Sequence, residues 1–445
     1  MEYLNIYKSQ ILFFLVFSGS FFLFFRNFTK IYRNINLGKG GVDSNNKTRR
    51  WKRVFFIAFG QSKMFDKPIV AVLHLIVYLG FIIINIELIE IIIDGLFGTH
   101  RFLSFLGSFY NFLIASFEIL AFLVLVSVII FLIRRNVIRI KRFIHSDMKG
   151  WPTFDGNLIL IFEIVLMLAF LTMNAADSIL QVDEYYSKKY INAGLFPISG
   201  LFILPLLNNL SSDSLFIIER FCWWFHIIGI LAFLNYLAIS KHLHILLAFP
   251  STYYSKLEPR GQFSNMNSVT KEVKIMLDPN ADSFSQPSEA NPESFGAKDV
   301  RDLNWLQLLN AYSCTECGRC TSECPANVTG KKLSPRKIMM DVRDRVDEVG
   351  KGIDKNGLNF NDGKSLLNDY IKPEELWACT SCNACVEACP INIDPLSIIM
   401  DLRRYAVMEE SSAPSELNSV FSNIENNGAP WPFPATDRLK WKDDE

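Results

Sequence analysis

The sequence predicts an all-α protein in two parts, a five-helix transmembrane bundle followed by a smaller helical domain organised around cysteines. Three observations predict this. Five apolar stretches each approach the ~20 residues that a helix needs to cross a bilayer core. Eight of the nine cysteines fall in two runs, CTECGRCTSECP (314–325) and CTSCNACVEACP (379–390), and each Cys of the first has its counterpart 65 residues downstream. The segments around those runs place apolar residues at helical spacing.

Composition sets the outer limits. The chain has 445 residues, 50% of them hydrophobic, with 38 Phe. Its 45 Lys and Arg balance 45 Asp and Glu, so net charge supplies no basis for a nucleic-acid partner. The average conceals an asymmetry: long apolar blocks end near residue 250, and charge, Pro, Asn and Ser rise after it. This divides the chain into a bundle embedded in the lipid bilayer (1–250), a linker (251–300), a cysteine domain (301–410) and a tail (411–445).

The expected spans are 9–27, 67–93, 108–133, 157–175 and 216–247. The first has neither a basic leader nor an A-x-A-like cleavage site and reads as a retained helix. The block AGLFPISGLFILPLL (193–207) is shorter and contains Pro197 and Pro205, which suits an interfacial or re-entrant piece. Lys and Arg gather after the first span (KTRRWKR, 47–53) and after the third (RRNVIRIKR, 134–142), so both loops are expected on the cytoplasmic side. The N-terminus then lies outside, and the fifth span carries the cysteine domain into the cytoplasm. Trp223 and Trp224 fall at the outer interface, where Trp is enriched.

Histidine within a membrane helix is costly and usually functional. His74 lies about two turns into the second span, His226 near the outer end of the fifth, and His242 and His244 near its inner end. His74 and His244 share a level, as bis-histidine ligation of a haem b requires; helix–helix hydrogen bonding is the plainer alternative. His226 and His244 are separated by five turns, about 27 Å, which on one continuous helix puts both on the same face. At the outer level the second span offers no ligand, and His100 in the outer loop is the other candidate there.

Five spans, a His in the second and FHIIGILAFLNYLAISKHLHILLAFP (225–250) resemble the cytochrome b gamma subunit of membrane-bound nitrate reductase and the membrane subunit of heterodisulfide reductase. The resemblance implies a haem b between His74 and His244, with His226 as a weaker ligand candidate, and exchange with membrane quinone at a bacterial cytoplasmic membrane. The nitrate reductase subunit's second helix supplies two histidines and this sequence matches one, so a second haem lacks its full ligand set.

For the cysteines, disulfides are disfavoured on a reducing cytoplasmic side. Structural zinc calls for four ligands per site, often as two separated pairs. The observed CxxCxxCxxxCP is the bacterial ferredoxin spacing, in which three close thiolates bind one [4Fe–4S] cube and the fourth binds the other. The expected partition is Cys314, Cys317, Cys320 and Cys389 on one cluster, and Cys379, Cys382, Cys385 and Cys324 on the other. Cys222 is left as an apolar core residue. Helices are expected over 334–350, 372–382 and 394–410. Residues 300–410 resemble the helical dicluster ferredoxin domains found in the iron–sulfur subunits of heterodisulfide reductase and of succinate and glycerol-3-phosphate dehydrogenases. The tail 425–441 reads either as a strap over its own domain or as a docking segment.

No GxGxxG follows a strand, no P-loop is present, and no two cysteines are adjacent as a Cys-Cys-Gly motif requires. The expected function is therefore a membrane-bound electron-transfer subunit linking quinone, through haem b and two [4Fe–4S] clusters, to a cytoplasmic oxidoreductase subunit of flavin or Cys-Cys-Gly type. A self-sufficient quinone-linked reductase and a membrane-tethered iron–sulfur redox sensor are the alternatives.

Overall fold

The computed structural model describes residues 7–41, 45–259, 261–278 and 294–443. The protein is all-α, with no strand among the described residues. The chain divides into two compact units. The first comprises Met1–Asn34, Ser44–Tyr254 and Tyr312–Gly318; the second comprises Ile35–Asp43, Ser255–Ala311 and Arg319–Glu445. The expected linker 251–300 lies partly outside the described residues, at 260 and 279–293, and Asn267–Leu277 within it is helical.

Among the described residues, five helices are long and apolar enough to cross a membrane: α1 (Lys8–Ile35), α2 (Pro68–Phe97), α3 (Ser108–Asn136), α4 (Trp151–Leu180) and α5 (Ser212–Tyr236), which continues to Ile239. Local chemistry sets their ends. Pro68 opens α2 at a position where no backbone N–H is needed, and Gly98 closes it in the left-handed conformation (φ 72°). Ser211 caps α5 by accepting from the Ser214 N–H at 3.3 Å. α4 packs on α5 and on α3, and α3 on α2. Their shared core holds Phe13, Tyr110, Ile114, Phe117, Phe170, Trp223 and Ile227. Cys222 is buried in the same core.

The block 193–207 forms two short helices, Pro197–Phe202 and Leu204–Leu207, and no span. The Glu118 carboxylate of α3, fully buried, accepts from the Ile198 N–H (2.9 Å) and the Ser199 N–H (3.1 Å). These are N-terminal donors with no partner inside so short a helix.

The fifth span ends earlier than its hydropathy suggests, which corrects the expectation that His226 and His244 share one helix face. Ser240 is extended (φ −109°, ψ 150°), and His244 begins a separate helix, α6 (His244–Tyr254). Asp155 of α4 fixes the break. It accepts from Tyr236 Oη, from Ser240 Oγ (2.8 Å) and from the Lys241 N–H (3.1 Å). The freed His242 N–H turns to Ser240 Oγ at 3.1 Å. A buried carboxylate gathering these donors offsets the lost helical bonds.

The second unit is built from shorter helices: α7 (Arg319–Ser322), α8 (Pro335–Asn356), α9 (Ala384–Ala388) and α10 (Pro395–Met408). Ser334 caps α8 through the Lys337 N–H (3.3 Å), and Asp394 caps α10 through the Ser397 N–H (2.9 Å), each with Pro at the next position. The helix expected over 372–382 is confined to Pro373–Trp377. α8 and α10 pack together, burying Ile338, Val342 and Val346 with Ile398, Ile399 and Leu402.

Candidate functional site

The two cysteine runs share a backbone as well as a spacing. In the first, Glu316 (φ 55°) and Gly318 (φ 71°) take the left-handed conformation; in the second, Ser381 (φ 58°) and Asn383 (φ 61°) do so at the equivalent positions. Gly adopts this conformation freely and Asn tolerates it, whereas Glu and Ser carry strain there, which a structure retains where geometry demands it. Each run then enters a short helix, α7 or α9, and leaves through an extended cysteine before Pro: Cys324 (φ −77°, ψ 117°) and Cys389 (φ −74°, ψ 124°).

Within the second unit α7 packs against α9. That contact brings Cys324 of the first run to the cysteines of the second. Cys379 lies within electrostatic range of Cys324 and Cys382, and Cys385 within range of Cys379 and Cys324. Burial pushes the Cys379 thiol up, and the two neighbouring thiols push the same way. Cys385 is raised likewise, by burial first and then by Asp394 and the other thiols. Buried thiols that resist ionisation together are suited to a cationic iron core, which supplies the positive charge their thiolates lack. The Ser381 N–H donates to Cys379 Sγ (3.4 Å) and the Ile393 N–H to Cys389 Sγ (3.3 Å), the kind of bond that tunes cluster sulfurs. The donor set therefore fits a [4Fe–4S] cube on Cys324, Cys379, Cys382 and Cys385. Cys314 and Cys317 belong to the first unit and Cys320 and Cys389 to the second.

Arg403 of α10 secures the second run. Its guanidinium donates to the carbonyls of Leu376 (2.8 Å) and Cys379 (2.6 Å) and lies 4.9 Å from the Trp377 ring centre. In the first unit the equivalent loop is held differently. Glu316, buried between Cys314 and Cys317, is ion-paired with Lys241, and Ser313 Oγ donates to the Leu247 carbonyl at 3.2 Å. Lys241 also donates to the Pro152 carbonyl at 2.6 Å. Neither Arg403, Lys241 nor Glu316 carries a motif by which sequence alone distinguishes it.

His242 lies within electrostatic range of both His244 and His74. The His242 and His244 ring centres lie 5.3 Å apart. Nδ1 of His74 faces Gln61 Oε1 at 3.0 Å and Nδ1 of His244 faces the Lys241 carbonyl at 3.2 Å. A proton on each Nδ1 satisfies these oxygens and leaves Nε2 as the basic nitrogen, the arrangement of metal-binding histidines. His226 is buried against Phe170, with Nδ1 on the Leu166 carbonyl at 3.1 Å. His100 has both ring nitrogens engaged, Nε2 with Asp177 (3.0 Å) and Nδ1 with the Ile191 N–H (3.1 Å), so it does not complete a second ligand pair.

Fold and site define a membrane-associated helical protein with a dicluster iron–sulfur module. Comparison with known proteins gives the same class: residues 313–393 match the family model described as "4Fe-4S dicluster domain". Over most of its length the chain is similar to the "Probable iron-sulfur-binding oxidoreductase FadF" of Bacillus subtilis (strain 168), 29% identical over 92% of this chain and 57% of that protein. It is similar over the same share to the "EtfAB:quinone oxidoreductase" of Syntrophomonas wolfei subsp. wolfei, 26% identical over 92% of this chain and 56% of that protein. A shorter region, 25% of this chain, is 35% identical to 56% of one subunit of the ferredoxin/F(420)H(2)-dependent CoB-CoM heterodisulfide reductase of Methanosarcina acetivorans. The chain spans little more than half the length of the first two relatives. No solved structure matches it.

Proposed function

We propose that this chain is a membrane-bound electron-transfer subunit. It exchanges electrons between quinone in the bilayer and a soluble oxidoreductase partner, through two [4Fe–4S] clusters and one haem b. The carrying observation is the doubled run: Cys324 of the first repeat lies within electrostatic range of Cys379 and Cys385 of the second, in a chain whose described residues include five helices able to span a membrane. Similarity to a protein named for EtfAB and quinone supports those two classes of partner, with EtfAB in the soluble role. When bound, the clusters and the haem each take up and release single electrons.

The chain's own residues supply the rest. Cys314, Cys317, Cys320 and Cys389 would hold the first cluster, and His74 and His244 the haem. The Lys241–Glu316 pair fixes the Cys314–Cys317 loop to the segment that carries His244, favouring a short path from the first cluster into the bundle. The basic segments at 47–53 and 134–142 support a cytoplasmic position for that end of the bundle, by the positive-inside rule.

The test is metal and haem analysis of the purified full-length chain with its spectra. The expected result is about eight iron atoms in clusters per chain plus a b-type haem signal, the haem signal disappearing in His74→Ala. A chain that binds zinc in place of iron would overturn the proposal.

A further inference from the structure

A cavity of about 680 Å³ opens in the first unit where α2 ends and α5 begins, at the opposite end of α2 from His74. Its wall includes Glu87, His100, Arg101, Asp177, Trp223 and Trp224. We infer that this cavity binds the head group of a membrane quinone, with Glu87 as the residue that exchanges a proton with a quinone oxygen. The inference rests on the quinone-linked function proposed for the chain and assigns its place and its proton donor.

Hydrogen bonds locate the proton. Glu87, Glu90 and Asp177 gather around the Arg101 guanidinium, and all four residues are buried; elsewhere on the wall Arg220 pairs with Glu219, Asp94 accepts the Arg101 and Phe102 N–H groups, and Lys188 and Lys189 stand near the mouth. Arg101 donates to Asp177 through Nε (2.7 Å), to Tyr110 Oη (3.1 Å) and to Asn174 Oδ1 (3.2 Å). Asp177 also takes the His100 Nε2–H at 3.0 Å, because His100 Nδ1 is occupied as an acceptor from the Ile191 N–H. Glu90 accepts from the Leu103 N–H (2.8 Å) and from Tyr110 Oη (2.9 Å). Asp177 and Glu90 are thus arranged as anions, balanced in part by Arg101. Glu87 Oε2 is buried with no hydrogen-bond partner, although the residue is only 3% exposed. A third buried negative charge without a hydrogen-bond partner is costly, so the excess proton belongs on Glu87, which lines the cavity and bonds no acceptor inside the protein.

The matching ligand presents a carbonyl acceptor and a flat apolar ring, and it reaches the end of a lipid-spanning helix. A quinone has all three properties. Trp223 and Trp224, edge to face at 5.2 Å, give its ring an aromatic wall, and the volume lies in the range of small-molecule sites. Reduction to the quinol adds two electrons, which under the proposed function originate from the soluble partner, and two protons, forming two O–H bonds. Glu87 gives one proton to one oxygen and is reprotonated by water entering the cavity; water at the mouth gives the other. Quinol oxidation runs the same transfers backwards.

The experiment uses full-length protein in detergent, with its clusters reduced by dithionite and then mixed with menadione. Glu87→Gln keeps a donor but carries no transferable proton. Its menadione affinity should stay close to wild type while cluster re-oxidation slows about a hundredfold, the low end of general-acid effects. Glu87→Leu should weaken binding about tenfold, as for loss of one buried hydrogen bond. Ser104→Trp, which obstructs the cavity from its wall without touching the carboxylates, should also lose binding. Cluster spectra and thermal melting confirm that each variant is folded and loaded. If the wild type is re-oxidised and all three variants match it, the cavity is not the quinone site. If the wild type itself, with both clusters present, resists menadione, the quinone link fails and this site with it.

Discussion

The two cysteine runs are alike in spacing and in backbone, yet they are held by different means. The first is secured within the first unit by a buried ion pair, Glu316 with Lys241, beside the segment that carries His244. The second is held within its own unit by Arg403, which clamps two carbonyls and stacks on Trp377. A repeated cofactor motif sets the local turn; its surroundings decide what that turn is coupled to. The Cys314–Cys317 turn is coupled to Lys241 of the first unit, and the Cys379 turn to Arg403 of α10 in the second.

The largest expected effect comes from breaking the exchange between runs. Cys324→Ser removes a ligand from the second run's cluster although it lies in the first run, so about half the iron should be lost while Cys379, Cys382 and Cys385 remain intact. Iron analysis with spin quantification checks this. Loss of the first run's cluster instead would reverse the assigned partition.

Next comes the ion pair. Lys241→Met strands Glu316, a residue only 2% exposed, and should destabilise the first unit by about 3–5 kcal/mol. Adding Glu316→Gln should recover much of that loss, and denaturant unfolding of the double-mutant cycle measures the coupling. Arg403→Met should have a smaller effect, about 1–3 kcal/mol, from two carbonyls left without their donor. It should speed loss of the second run's cluster to a chelator, with Arg403→Lys intermediate because an ammonium lacks the planar fork.

The smallest effect is set by pH and lies away from both runs. Arg345 of α8 bonds Asp362 at 2.7 Å and holds its carboxyl down to about 2. An acid whose folded value lies below its unfolded value of ~3.9 adds stability above that value and loses it as pH falls through the folded one. Asp362→Asn should therefore flatten the acid side of the second unit's stability curve between about pH 4 and pH 2, read by tryptophan fluorescence.

Legibility in the sequence followed the range of the forces involved. The five spans and the helices after Ser334 and Asp394 were readable because hydropathy, caps and prolines are local signals. The cysteine spacing was readable because cluster geometry imposes it. The break at Ser240 was not, because it depends on Asp155, some 85 residues away in sequence, collecting donors that a continuous helix would use. The same limit concealed Lys241 with Glu316 and the network around Arg101. Each consists of ordinary charged residues whose partners are set by packing.

The central claim is that this chain connects quinone to its clusters within a bilayer. In proteoliposomes containing a long-chain ubiquinone, which stays in the lipid, dithionite-reduced clusters should re-oxidise once excess reductant is removed, consuming one quinone for every two electrons. Clusters that stay reduced there, yet bleach when soluble ferricyanide is added, would contradict it.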